Sequence, residues 1–484
     1  MLQSSITQFL SGRAENIVFS SLSFVYIFFP LVFLAYFIIN NRTWRNLVLL
    51  LSSLFFYAWG EPRFVIQMVA ASLVAYIGGR LMDSYRQSGR AKAEKGVYIV
   101  TLVLLVGNLV VFKYLNFVSD NICALFGISR KFADIVLPIG ISFYTFQILS
   151  YVIDLHRGRI AVQKNPLDLM LYVCLFPQLI AGPIVRYQTV EYEIRNRRET
   201  LDDVYEGVKR FIVGLAKKVL LANNIALLAE TIFAGDTAIY GAWMYWLGTL
   251  AFTMQIFFDF AGYSDMAIGL GRIFGFHFLE NFDYPFASLS FTELWRRWHI
   301  SLSSWFRDYI YIPLGGSRVS LPRQIFNTMF VWGLTGLWHG AEWNFLLWGL
   351  YSGLMLLIEK HFLQKFLEKL PKVLRWLYTM VVFVFGCAIF YFTDTAQLLD
   401  AIRIMFTAPS ASWQDIVAAD FSILNSLVYL PICLLCSFPV FKKLPKKDGL
   451  VWHILSCGVY MLLALICIVY IISSQYNPFI YFRF

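Results

Sequence analysis

The sequence predicts an all-α polytopic membrane protein with about twelve spans, on three observations. Hydrophobic residues make up 59% of the 484-residue chain and charged residues only 14%, against about 25% charged in a soluble domain. Apolar runs of spanning length recur from end to end, where a membrane β-barrel would show alternating segments of about ten residues. The strongly basic loops fall on one side of the resulting path.

The apolar runs lie near 20–40, 46–60, 64–83, 97–118, 134–155, 211–232, 243–272, 324–340, 343–360, 376–393, 421–440 and 450–473. Between them stand NRTWRN at 41–46, SYRQSGRAKAEKG at 84–96, HRGR at 156–159, RNRRE at 195–199 and KKLPKK at 442–447. If the first run enters from outside, all five loops are cytoplasmic and both termini face outside. The net charge of +10 is then loop charge, and no nucleic-acid partner is expected. The first run is long enough to span and has no cleavage site after it, so no removable signal is expected.

Some segments depart from plain spans. The stretch 165–185 is interrupted by Pro177, Gly182 and Pro183. Proline inside a helix removes a hydrogen bond and clashes with the preceding turn, so a half-span lining a cavity is expected here. Residues 290–310 read as one amphipathic interfacial helix. Ser290 and Glu293 have capping-box spacing, and Phe291, Leu294, Trp298, Leu302, Trp305 and Tyr309 recur on one face. With no internal repeat and no long linker, residues 1–484 read as one integral domain. Cys433 and Cys436 sit in an apolar run without a second pair, which points to packing rather than to a metal or redox site.

Two histidines stand out for chemistry. His339 ends an otherwise apolar run, where an ionisable side chain is expensive and usually functional. Thr335 and Trp343 would lie one turn to either side of it, and Trp338 and Trp343 would wall a dry pocket. His299 stands beside Arg296 and Arg297, with Ser303 one turn on and Arg307 beyond. Imidazole is the side chain best suited to move a proton near neutral pH, and the arginines would suit a phosphorylated donor. Bland readings stand beside these: a structural histidine with tryptophan belt anchors at 339, and a headgroup-contacting helix at 290–310. Asp259 and Asp265 are expected to pair with arginines. His156, His277, His361 and His453 lack comparable surroundings. No phosphate-binding loop, zinc-protease helix or serine elbow is present.

Several stretches carry a family resemblance. They are LPIGISFYTFQILSYVIDLHRG at 137–158, FPQLIAGPIVRY at 176–187, QIFFDFAGYSDMAIGLGRIFGF at 255–276, NFDYPF at 281–286, WRRWHISLSSWFRDYIYIPLGGSR at 295–318 and GLWHGAEWNFLLWGLYSG at 336–353. In these the chain resembles the membrane-bound O-acyltransferase (MBOAT) family, especially its bacterial branch of polysaccharide O-acetyltransferases. The resemblance implies a catalytic role for His339 and a second family position, His or Asn, at His299. It implies a ring of tilted helices around a thin centre with a tunnel, lined here by Trp338, Trp343, Asn344 and Pro183.

The resemblance also implies acetyl-CoA as a cytoplasmic donor held by Arg296, Arg297, Arg307 and Ser303, with no bound cofactor and no metal. An extracytoplasmic polysaccharide would be served together with a separate transferase, from a multi-pass position in the bacterial plasma membrane. Two departures are visible. His156 stands where tyrosine is common, and AIFYFTDT at 388–395 lacks a frequent arginine. The terminal QYNPFIYFRF reads either as an interfacial anchor or, by resemblance to a C-terminal tyrosine motif, as a tail presenting Tyr481 as an acyl acceptor. D-alanyl transfer from a carrier protein and glycan or solute transport are the alternatives.

Overall fold

The computed structural model describes residues 18–128, 134–180, 182–237, 239–440, 442 and 449–473. Among these residues every regular element is a helix, and each of the twelve apolar runs falls on one. The chain gathers into two compact units, one from Met1–Phe211 and Ser264–Leu279, the other from Ile212–Tyr263 and Glu280–Phe484.

Among the described residues five helices are long and apolar enough to cross a membrane: Val65–Gln87, Ala91–Phe126, Leu201–Ala234, Lys372–Tyr391 and Val451–Ser473. A sixth crossing is available if Trp413–Ala419 and Ser422–Cys436, bent by 106°, form one span. Val451–Ser473 leaves Ile454, Val459, Leu462 and Val469 exposed, an arrangement unfavourable in water and natural in hydrocarbon. This is an integral membrane protein. The remaining apolar runs form helices that are shorter or more polar. Ile141–His156 and Trp343–Ile358 have 16 residues each; at 1.5 Å per residue that is about 24 Å, against a hydrocarbon core of about 30 Å. Ala242–Ile273 is long, but carries Asp259 and Asp265.

In the first unit, local sequence sets the helix starts. Asn41 accepts the Trp44 amide (3.1 Å) to cap Arg42–Gly60. Asn165 accepts that of Leu167 (2.9 Å), with Pro166 opening the next helix. That helix ends at Cys174, and a short helix, Phe176–Leu179, follows. The interruption expected at Pro177 therefore falls two residues earlier, at Leu175, because a proline in a first turn starts a helix rather than breaking one. The broken backbone is buried, with the Phe176 amide donating to Ser53 Oγ (3.0 Å).

Basic loops assigned to one side by charge meet in this unit. Arg42 and Arg45 each reach Glu199 at 2.6 Å, joining loop 41–46 to loop 195–199. Arg86 donates to Glu94 and to the His156 carbonyl, and His156 Nδ1 lies 2.9 Å from Glu94, joining loop 84–96 to 156–159. His156 also stacks on Tyr98 (3.9 Å), a setting its sequence neighbours do not reveal. Asp265 pairs with Arg210 (2.6 Å) as expected.

The second unit is built around an aromatic and aliphatic core, in which Cys433 is buried. Its helix through Ala216 widens into a π turn at Lys217–Ala222 before Asn223–Ala234. The turn aims Lys218 inward, 2.5 Å from Asp259, and both side chains are buried. The partner of Asp259 is thus a lysine, not the arginine expected. Leu321–His339 and Trp343–Ile358 form a tight hairpin. A Cβ at Gly336 would sit 2.1 Å from the Phe345 carbonyl oxygen, and one at Gly349 2.3 Å from that of Trp332. Only glycine permits so close a backbone approach between helices.

Residues 290–310 form two helices, not one. Ser290 caps Phe291–Arg297 by accepting the Glu293 amide (3.0 Å), while Glu293 Oε2 takes the Leu289 amide (2.9 Å). The buried carboxylate of Glu359 accepts the Phe291 and Thr292 amides (2.7 and 2.9 Å), placing negative charge at the positive end of the helix. The chain then breaks at His299, whose φ of 44° and ψ of 55° are left-handed, and restarts as Ile300–Phe306. The apolar residues expected on one face are all buried despite the break.

Candidate active site

His339 is the last residue of its helix. Gly340 leaves in extended geometry, and the Gly336–Gly349 contact holds the hairpin so that the imidazole points into packed aromatics. Ring centroids of Trp338 and Trp348 lie 5.0 Å away and that of Phe390 5.3 Å away, all edge-on. Asn344 Nδ2 donates to the Phe390 carbonyl (3.0 Å), fixing that wall to the hairpin. The walls of the resulting box are aromatic and buried, and such a low-dielectric setting strengthens electrostatic interactions.

His299 reaches the same region from the turn between the two short helices. A left-handed residue other than glycine costs about 1–3 kcal/mol and persists only when its surroundings over-determine it. Here they do. Backbone bonds pair the Ile300 amide with the Asn281 carbonyl (2.9 Å) and the Asp283 amide with the Arg297 carbonyl (3.0 Å). Trp298 anchors the turn among Phe257, Phe282, Phe286 and Phe383. The His299 ring meets Phe260 edge-on at 4.6 Å and Trp338 at 5.8 Å. Its Nδ1 lies 3.1 Å from Asn281 Oδ1. Trp338 touches both histidines. Burial pushes the His299 imidazole well below its ordinary range, and the neighbouring His339 acts in the same direction.

The other expected site residues divide. Asn344 and Trp338 belong to the box. Trp343 opens the next helix and stands 48% exposed, because the preceding helix stops at His339, and Trp348, not singled out by sequence, meets the His339 ring edge-on. The Ser303 amide donates to the His299 carbonyl (3.0 Å) one turn on, and Ser301, whose Oγ is 2.9 Å from Asn281 Oδ1, is the serine beside the ring. Pro183 is buried in the first unit.

Arg297 is bound by Glu293 (2.9 Å) and Asp283 (3.3 Å), and Arg307 by Asp308 (2.7 Å), so neither presents unbalanced charge. Arg296 lines a cavity of about 570 Å³ together with Thr292, Tyr311, Gln324 and Lys360. Tyr481 lies outside the described residues. Asn281, Phe260, Trp348 and Phe390 were not singled out by sequence. The only hint of them was the recurrence of aromatic and amide residues in NFDYPF and in the apolar runs. Among the described residues no group of three His, Cys, Asp or Glu side chains is arranged to hold a metal ion.

The fold is thus an all-helical membrane protein in which two imidazoles are buried among aromatic walls. The chain belongs to the membrane-bound O-acyltransferase family, whose model matches residues 159–401 and so contains both histidines. It is an O-acyltransferase. A protein named as a probable alginate O-acetylase, AlgI, from Azotobacter vinelandii is 41% identical over 396 residues, 81% of this chain and 77% of that one. A peptidoglycan O-acetyltransferase from Helicobacter pylori is 32% identical, over 76% of this chain and 75% of its own. A teichoic acid D-alanyltransferase from Bacillus subtilis is 29% identical, over 49% and 62% respectively.

Proposed function

We propose that this protein moves an acetyl group from cytoplasmic acetyl-CoA across a bacterial plasma membrane for O-acetylation of an extracytoplasmic polysaccharide. The observation that carries the reading is the His299–His339 pair about Trp338, in a chain whose extensively matched relatives are named for O-acetylation of alginate and peptidoglycan. The pair takes the proton of an acceptor hydroxyl as its oxygen attacks the thioester carbonyl. The new C–O bond forms, the C–S bond breaks, and the proton passes to the departing sulfur, releasing CoA as the free thiol. Aromatic walls keep water from competing as the acceptor.

In this reading all twelve apolar helices cross or enter the membrane as one integral domain. The basic loops face the cytoplasm and both termini face outside. The short helices Ile141–His156 and Trp343–Ile358 favour a locally thin region with a tunnel, so that only the acyl group need cross. Arg296 is the arginine best placed to meet the phosphorylated donor, since Arg297 and Arg307 already hold carboxylates. Tyr481 receives the acetyl group as a phenolic ester and presents it to a separate extracytoplasmic transferase. Tyr481→Phe keeps the ring and removes the nucleophile, so it is expected to stop polymer acetylation. A normal rate in that variant, or failure to trap acetyl mass on the C-terminal peptide, would remove Tyr481 from the route.

D-alanyl transfer is the second reading, favoured by the shorter match to the Bacillus subtilis relative. Purified protein offered labelled acetyl-CoA and a D-alanyl-charged carrier in parallel separates the two. Label taken from acetyl-CoA is expected, with a KM that rises in Arg296→Ala more than kcat falls. Label taken from the carrier alone would overturn the acetyl reading, and an unchanged KM would release Arg296 from donor binding.

A further inference from the structure

We infer that Asn281 is a positioning residue that fixes which nitrogen of His299 carries the proton, leaving the lone pair of that ring on Nε2. The inference rests on the proposed role of the two histidines as the proton acceptor. Its basis is geometric. Asn281 Oδ1 accepts the Ser301 backbone amide at 3.2 Å and Ser301 Oγ at 2.9 Å. A backbone N–H can only donate, so the atom it meets is the amide oxygen and the orientation of the Asn281 side chain is fixed. His299 Nδ1 lies 3.1 Å from that same oxygen, and an oxygen already receiving two donors can only accept a third. The neutral ring therefore carries its proton on Nδ1 and its lone pair on Nε2. Nε2 is buried and has no hydrogen-bond partner among the described residues.

The backbone makes the arrangement compulsory. Asn281 also receives the Ile300 amide through its carbonyl, so one residue holds the His299 ring and the two residues that follow it. The helix that leads into the turn is pinned at its start by Glu359. Slippage of the turn would carry Nδ1 off its acceptor. Phe260 from Ala242–Ile273, Ser301 from the following helix and Trp338 from Leu321–His339 are neutral neighbours. His339 is the titratable group whose charge His299 feels.

Asn281→Asp tests this directly. The carboxylate is nearly isosteric and accepts the same three donors, but it adds a negative charge against Nδ1 and favours the imidazolium. A base must be unprotonated to work, so the acid limb of kcat/KM is expected to move to higher pH by roughly one unit or more. Asn281→Leu, which removes the acceptor, is expected to lower kcat at least tenfold with little change in KM for the donor. A merely structural asparagine would reduce yield or rate in Asn281→Asp without moving the limb, and an unmoved limb in folded protein overturns the inference. His299→Ala, measured beside it, separates the two levels. If His299→Ala is inactive and the Asn281→Asp limb is unmoved, only the positioning role fails. If His299→Ala works near the wild-type rate, the pair itself is not the base and the inference falls with that reading.

Discussion

His339→Ala is expected to lower acetyl transfer by about 10²–10⁴-fold, the usual contribution of a general base, while the protein still inserts and folds. The imidazole sits at the end of a helix whose position is set by the glycine contact with Trp343–Ile358 and not by the ring itself. Removing the ring leaves a small space between Trp338, Trp348 and Phe390 and takes away one of the two imidazoles through which the hydroxyl proton is proposed to pass. Rate at saturating donor, together with the size-exclusion profile and melting temperature of the variant, checks the claim. Activity within a few-fold of wild type would place the chemistry elsewhere, and loss of the folded peak would mean that the residue is structural.

The largest stability effect is expected at Lys218. Its ammonium lies 2.5 Å from Asp259, and both side chains are buried. Such a pair adds little over well-packed apolar residues, because desolvation offsets the attraction, but stripping one partner leaves an uncompensated buried charge. Lys218→Ala should therefore cost about 3–5 kcal/mol, a large share of the roughly 5–15 kcal/mol that holds a protein folded. The double variant Lys218→Met, Asp259→Leu should recover most of that loss. Thermal unfolding of the wild type and the two purified variants in one detergent measures both effects. A single variant as stable as wild type, or a double variant no better than the single, would contradict the pairing energetics.

What the sequence made legible and what it hid follow different physics. Helix starts were readable because capping is local: Ser290 and Glu293 announce the start of their helix three residues apart. His339 was readable because an ionisable residue ending an apolar run is rare and costly. The break at His299 was not, since the apolar spacing from Phe291 to Tyr309 continues across it and no glycine marks the left-handed turn. That missed break hid Ser301, whose Oγ lies 2.9 Å from Asn281 Oδ1.

Trp343 was placed one turn from His339 on the condition that helix continues through it, and the helix stops at His339. The neutralisation of Arg297 by Glu293 was legible at i, i+4 spacing, whereas its contact with Asp283 needed the fold. Asn281 lies 18 residues from His299 along the chain, and nothing in a single sequence links two residues that far apart. Lys218 escaped for a similar reason. Only the π turn at Lys217–Ala222 reveals that this lysine of the adjacent pair, and not a distant arginine, turns inward to Asp259.

The most direct measurement follows the acetyl group itself. In sealed inverted membrane vesicles, labelled acetyl-CoA is supplied outside, on the former cytoplasmic face, with the polysaccharide acceptor and the extracytoplasmic transferase enclosed in the lumen. Label should accumulate on the luminal polymer with wild-type protein, while CoA thiol appears outside, and both should fall to background with His339→Ala. Transfer that persists in His339→Ala, or label that reaches the lumen still attached to CoA, would contradict acyl transfer through the histidine pair.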